Sequence, residues 1–408
     1  MTEFREIDPP RRLLMGPGPV DAYPRVLRAM SAQLLGQCDP VFTGYMTETM
    51  ALYRGVFETQ NRWTLLIDGT ARAAIEASLI SLLEPGDKVV IASAGRFGGL
   101  LTEIAERCSA EPIIVSAPWG QIVPPAEIIK AIETHKPRVF ACVHGDTSTT
   151  MAQPMDGIGE ACRKAGTLFY IDATATVSGM PTPVDAWGAD IMTAGLQKCL
   201  GGPSGIAPIT ISERAAERIF SRRHIEKGLV GTGGPNGNGM RIASNYFDLA
   251  MILDYWSEKR LNHHTESTTL LYGARECARL VLEEGLEARF ARHDLCSRAV
   301  VAGLEGMGLT VYGDQSNKMS NVTGVLIPEG VDGDAVRARM LGDYSIEIGS
   351  SFGPLHGKIW RIGAMGYNAT KPAVLTTLGA LEAVLRQAKA PIKSGAGVDA
   401  ALAAFEAG

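Results

Sequence analysis

Between residues 63 and 211 the chain carries seven short apolar runs with no polar alternation inside them, and that pattern constrains the fold more than any other. A strand with one face in water alternates apolar and polar residues; a run that does not alternate needs cover on both faces. The runs are WTLLI (63–67), KVVIAS (88–93), PIIVSA (112–117), RVFACVH (138–144), TLFYIDA (167–173), ADIMTAG (189–195) and GIAPITI (205–211). Amphipathic helical patterns or turns separate them. The first runs through DGTAR into the helical pattern AAIEASLISLL, which stops at EPGD, where Pro and Gly break it. Strands alternating with helices predict an α/β fold with a mainly parallel sheet.

The remainder reads differently. Residues 228–239, GLVGTGGPNGNG, are too rich in glycine for a core element and are expected to be a mobile loop. Their GxGxxG-like spacing lacks a strand before it and a helix after it, so it is not a dinucleotide-binding turn. Long helices are expected over 264–285 and 287–308, then strands at 309–313 and 322–328. A helix over 332–341, strands at 346–350 and 359–364, and a helix over 371–388 complete a smaller α+β region, with a possible terminal helix after it. The expected division is an N-terminal arm (1–20), a large domain (21–283) and a small C-terminal domain (284–408).

Charge and cysteine usage narrow the function classes. The net charge of −5 comes without a long basic run, which argues against nucleic acid as a partner while leaving small anions open. Seven scattered cysteines without CxxC spacing suit a reducing compartment better than a disulfide framework or a zinc site. The N-terminus has no apolar h-region and no stretch is long enough to span a bilayer, so a cytoplasmic location is expected.

Chemistry concentrates in TAGLQKCLGGPSG, where Lys198 follows an apolar strand and a polar turn and precedes small residues. A lysine whose surroundings lower its pKa condenses readily with a carbonyl cofactor, and small neighbours leave room for a flat ring. Most lysines are simply solvated, so the motif alone is weak. Twenty-six positions upstream Asp172 ends another strand. A carboxylate there faces the crevice where open α/β sheets bind ligands, although capping the next helix is the commoner role. The two residues together, with HGDTSTT and DGTAR after other strands, form a far more specific set.

That set, DGTARAAIEA, HGDTSTTMAQPMDGIGEAC, FYIDATAT, GLQKCL, NHHTESTTLLYGARE and WRIGAMG, resembles the class V aminotransferases over about residues 13–385. A narrower likeness, in GQCDPVFTGYMTETM, SNYFDL, DYWSEKRLNHHTE and SSFGPLHGKIWRIGAMGYN, is to the (S)-ureidoglycine–glyoxylate aminotransferases of purine catabolism. The resemblance implies pyridoxal 5′-phosphate fold type I, with a seven-stranded sheet, and a homodimer with shared active sites. It implies that Lys198 carries the cofactor and moves protons, Asp172 pairs the ring nitrogen and Thr147 the phenolic oxygen. Thr70, Ala71, Arg72 and Gln197 would hold the phosphate, joined by Thr265 of the partner subunit; Phe97 would stack on the ring, where relatives often carry Trp. Arg361 would clamp the substrate carboxylate.

Substrate choice is expected to rest on Gln37 and Asn262. Many class V relatives have a basic or small residue at the first position, and the alanine–glyoxylate enzymes have tyrosine at the second. Two carboxamides complement a ureido group, which has one acceptor and several donors, without adding charge. The plainer alternative is that both merely satisfy local backbone. A general alanine– or serine–glyoxylate aminotransferase and a catalytically silent binding protein of the same fold remain as other readings. No metal site is expected, because on a helix the adjacent His263 and His264 would point to different faces. Cys199 and Cys296 read as buried thiols rather than nucleophiles.

Overall fold

All seven apolar runs become strands of one sheet in the structure, a computed structural model that describes residues 6–229 and 236–408. They are β1 (Trp63–Asp68), β2 (Lys88–Ser93), β3 (Glu111–Ser116), β4 (Val139–Val143), β5 (Leu168–Asp172), β6 (Ile191–Thr193) and β7 (Ile206–Ile211). Their order is β1-β7-β6-β5-β4-β2-β3, with β7 antiparallel to both neighbours and every other pair parallel. The central strands are buried along their length, as continuous apolar runs require. Edge strand β3 departs from that expectation: its side chains alternate in exposure, and Ile114 is 51% exposed.

Register sets the site. Val143 pairs with Asp172, and Asp172 with Thr193, so three parallel strands end level at their C-terminal edge. Antiparallel β7 begins at that edge, with Ile206 opposite Asp68 of β1. Helices α1 (Pro40–Val56), α2 (Ala71–Leu82) and α3 (Arg96–Arg107) surround the sheet. Asp39 caps α1, its carboxylate accepting from the Val41 amide with Pro40 in the first turn, a start signal the apolar periodicity alone does not reveal.

Beyond the sheet run α4 (Thr268–Glu284), α5 (Leu286–Gly306) and α6 (Gly333–Tyr344), followed by α7 (Lys371–Gln387) and α8 (Ala396–Ala407). Of these α4 packs into the core of the large sheet, while the later helices accompany a second, antiparallel sheet of β8 (Val322–Leu326), β9 (Gly349–Ser350) and β10 (Ile359–Gly363), with β10 in the middle. Three expectations need correction. Residues 309–313 form only a bridge, Val311 to Val325, because the short segment finds a single partner position. The segment 346–350 splits: Ile346–Glu347 pairs with Leu13–Leu14 of the N-terminal arm, and Gly349–Ser350 with β10. The helix expected from 264 starts at Thr268, since the Ser267 amide and hydroxyl are drawn away to Asp68.

Of the glycine-rich stretch 228–239, residues 230–235 lie outside the described residues. Among the described residues no helix is long and apolar enough to cross a membrane. All seven cysteines are free thiols.

The arm returns to the protein as a strap. Met15 is fully buried, its carbonyl accepting from the Gly363 amide at 2.8 Å. A Cβ on Gly363 would stand 2.2 Å from the Gly16 carbonyl oxygen, a backbone atom that cannot rotate away. Gly363→Ala is expected to cost about 2 kcal/mol through overpacking, read as a lower denaturant midpoint. An unchanged midpoint would mean that the arm is free to shift.

Candidate active site

The C-terminal edge of the large sheet holds a cavity of about 160 Å³. Its walls come from five separate loops. Thr70, Ala71 and Arg72 follow β1, Phe97 follows β2, Gly145 and Thr147 follow β4, Asp172 and Thr174 close β5, and Gln197 and Lys198 follow β6. Ile75, Leu100, Val143 and Ala175 add apolar surface. The sequence reading singled out eight of these lining residues, and missed Gly145, the apolar wall and Thr174. The latter sits two places after Asp172 in DATAT, where its amide caps the carboxylate at 2.9 Å.

Thr70 is the residue before α2, and its hydroxyl caps nothing. The free amides at the start of this twelve-residue helix therefore point toward the cavity end, where the helix dipole favours an anion. Gln197 lies beside them with its Oε1 buried and without a hydrogen-bond partner. Gly69, at φ +126°, makes the turn between β1 and the helix and would clash with Ala73 if it carried a Cβ.

Asp172 is buried. Burial pushes its pKa up, while hydrogen bonding from Thr174 and the charge of Lys198 act the other way. Such a carboxyl is poised to take up a cationic N–H partner, which restores the charge that burial disfavours. The Lys198 ammonium suffers the opposite pressure. Burial, then the nearby Arg361 charge, lowers its pKa to about 8, with Cys199 and Asp172 opposing. Its Nζ donates to the Pro17 carbonyl of the N-terminal arm. A Cβ on Gly18, at φ +103°, would collide with the lysine side chain, so only glycine lets the arm pass there. Sequence reading missed this contact; the run GPGP was its only trace.

Asp146 fixes the neighbouring loop. Its carboxylate accepts from the Phe97 amide at 3.0 Å and from the Ser148 amide and hydroxyl at 2.9 and 2.6 Å, which sets Phe97 and Thr147 on the cavity wall. Arg361 sits on β10 outside the cavity lining, yet its Nη1 donates to the Thr147 carbonyl at 2.7 Å and its Nε to the Ser350 carbonyl at 2.6 Å. Phe352 lies between two guanidinium groups, 4.3 Å from Arg96 and 5.0 Å from Arg361, another pair that local motifs do not announce.

Three expected site residues lie elsewhere in the single chain. Gln37 and Asn262 are bonded to each other, Nε2 to Oδ1 at 2.8 Å, and Gln37 also accepts from the Glu266 amide at 3.2 Å. Asn262 and Thr265 are exposed. None of the three lines the Lys198 cavity. Cys199 is buried with its thiol pushed up, and it donates to the Ala175 carbonyl, an unreactive setting. His144, with its pKa lowered to about 4 by burial, is neutral and holds Thr176.

A depressed ammonium pKa makes a kinetic expectation. The rate at which the cofactor-free chain captures pyridoxal 5′-phosphate, trapped by borohydride, should rise through pH about 8 as the amine loses its proton, then level off. Lys198→Ala should abolish trapping. A rate still climbing toward the ordinary lysine range would contradict the buried environment.

Known proteins are similar to this chain in sequence and fold. The family described as aminotransferase class-V matches residues 36–356. The (S)-ureidoglycine–glyoxylate transaminase of Bacillus subtilis (strain 168) is 52% identical over 409 aligned positions, covering 100% of this chain and 98% of the relative. The crystal structure of the ureidoglycine–glyoxylate aminotransferase from Bacillus subtilis superposes with a TM-score of 0.93, at 51% identity over 98% of this chain and 100% of that one. An alanine–glyoxylate aminotransferase of Drosophila melanogaster is 35% identical, covering 94% of this chain and 95% of its own.

Proposed function

Because the chain belongs to the class V aminotransferases, enzymes that depend on pyridoxal 5′-phosphate, we propose that it moves the amino group of (S)-ureidoglycine to glyoxylate. The products are oxalurate and glycine. Near-full-length identity to the Bacillus subtilis enzyme carries this reading, since no other relative described above approaches it.

The donor set fits the cofactor. The side-chain amide of Gln197, free helix amides, a buried acid and a buried amine all meet at one apolar-walled cavity. The amides of Thr70, Ala71 and Arg72, with Gln197, would hold the phosphate, and Asp172 would keep the ring nitrogen protonated. Thr147 would bond the phenolic oxygen, and Phe97 would lie against the ring. The bound cofactor supplies an electron sink for the negative charge left when the α-proton departs. Lys198 Nζ would do the proton work: burial lowers its pKa to about 8, so the amine is available near that pH to take the proton and give it back at the end of the shift. Phe97, Leu100 and Ile75 keep bulk water from that nitrogen. Arg361, already held at Nε and Nη1, offers Nη2 to the substrate carboxylate and so places the α-carbon against the lysine.

Gln37 and Asn262 serve the site of a second copy. They lie outside their own chain's cavity, as does Thr265, and a homodimer that shares its sites brings all three into use. Their mutual bond lines up one amide acceptor and the remaining donors for a ureido group. The same reading divides the chain into an arm (1–20), a large domain (21–283) and a small domain (284–408). Support comes from two hydrophobic clusters, one running from Val26 to Val281, the other joining Met15 to residues from Cys296 onward. A cytoplasmic location belongs to the same reading, and the free thiols support it.

Single-turnover spectra with freshly generated ureidoglycine and with L-alanine test the substrate. Ureidoglycine should react faster, and Asn262→Tyr or Gln37→His should cost that donor about 100-fold in kcat/KM while sparing alanine. A preference for alanine in the wild type would favour the alanine–glyoxylate reading instead. Sharing of sites has its own test: inactive Lys198→Ala and Thr265→Ala chains, when mixed, should regain activity through hybrid dimers. Failure to complement, with hybrid dimers present, would mean that Thr265 does not serve the partner's site.

A further inference from the structure

Behind the helix amides lies a second group of polar side chains that the transamination does not use. Asp68 ends β1 just ahead of Gly69 and Thr70, while His264 and Glu266 flank Thr265 in the segment before α4. One ligand atom from each residue lies within 4.8 Å of the others. His264 Nε2 is 3.3 Å from Asp68 Oδ2 and 3.8 Å from Glu266 Oε2. The Glu266 side chain is only 1% exposed, yet neither of its oxygens has a hydrogen-bond partner, nor does Asp68 Oδ1. Buried carboxylates are normally satisfied, so this group asks for a ligand.

The histidine pair shows what kind. His263 Nε2 lies 3.2 Å from the Asn245 carbonyl, which can only accept, so that nitrogen carries the proton. His263 Nδ1 lies 2.7 Å from His264 Nδ1, so the two rings fix each other's orientation, and His264 Nε2 is left facing the two carboxylates.

Three potential ligand atoms thus converge where water is scarce. A cation held between them would offset the repulsion of two buried carboxylates. The 3.3 and 3.8 Å separations suit ligands on one metal, since bonds of about 2.1 Å put tetrahedral ligands about 3.4 Å apart. Outer partners are in place too: Ser267 donates its amide (3.0 Å) and hydroxyl (2.9 Å) to Asp68 Oδ2, and His263 orients the His264 ring. One imidazole with two carboxylates matches a divalent transition metal, and the charges cancel.

We propose that Asp68, His264 and Glu266 bind a divalent cation of the Zn²⁺ or Mn²⁺ class. It ties the segment carrying Asn262 and Thr265 to the strand end that carries the phosphate-holding amides. Its role is structural and touches no reacting atom. Both histidines precede α4, and only His264 enters the group.

Holoenzyme stripped by a chelator and dialysed against Zn²⁺ or Mn²⁺ should retain about one metal ion per chain by elemental analysis. Its Tm should rise by about 3 °C. Glu266→Gln and His264→Asn should each weaken metal binding at least tenfold and remove the Tm response, while keeping the visible absorbance of the bound cofactor. If the wild type retains neither ion and its Tm does not move, the group holds only a shared proton and the proposal is overturned. Retention by both variants equal to wild type overturns it as well. The wild-type stoichiometry decides the matter even if a variant fails to fold.

Discussion

Desolvating one amine is the demand around which the rest of the structure is arranged. An ammonium in water is fully solvated and unreactive; beneath the ends of β4, β5 and β6, Lys198 loses that solvation and its pKa falls to about 8. The cost is met by position. Asp172 stands level with Val143 and Thr193, so a countercharge reaches the lysine without a flexible linker. Pro17 accepts the Nζ proton from above, and Gly18 gives the lysine stem its space. Loosen any of these and the lysine returns to being an ordinary surface cation.

Much of this was legible in the chain because the relevant signals are local. Unbroken apolar runs announced the sheet, and the residues just past each run, Thr70, Phe97, Thr147, Asp172 and Lys198, had to gather once the strands were parallel. What stayed hidden depends on pairing across distance. Nothing near 309–313 says that only Val311 finds a strand partner. Nothing around His264 says that Ser267 is pulled to Asp68 and delays the helix. Gln37 and Asn262 were singled out through family likeness alone, and their contact spans 225 positions of sequence.

The arrangement also explains the glycines that matter. At Gly18, Gly69 and Gly363 an added Cβ would stand 2.5 Å from Lys198, 2.6 Å from the Ala73 methyl and 2.2 Å from the Gly16 carbonyl oxygen. Each lies at a junction: arm to lysine, strand to helix, arm to the small sheet. The glycine-rich stretch around 228–239, far more conspicuous in the sequence, contributes no wall to the cavity among the described residues.

Arg361 has a consequence of its own. Its guanidinium is anchored on one side to Ser350, in the small sheet, and on the other to Thr147, in a loop of the large one; Ser351 repeats the stitch by donating to the Ser148 carbonyl. A group that spans two cores in this way acts as a caliper. Any sliding between them changes where its free nitrogen points, so the grip on a small anion and the alignment of the two halves are one mechanical variable.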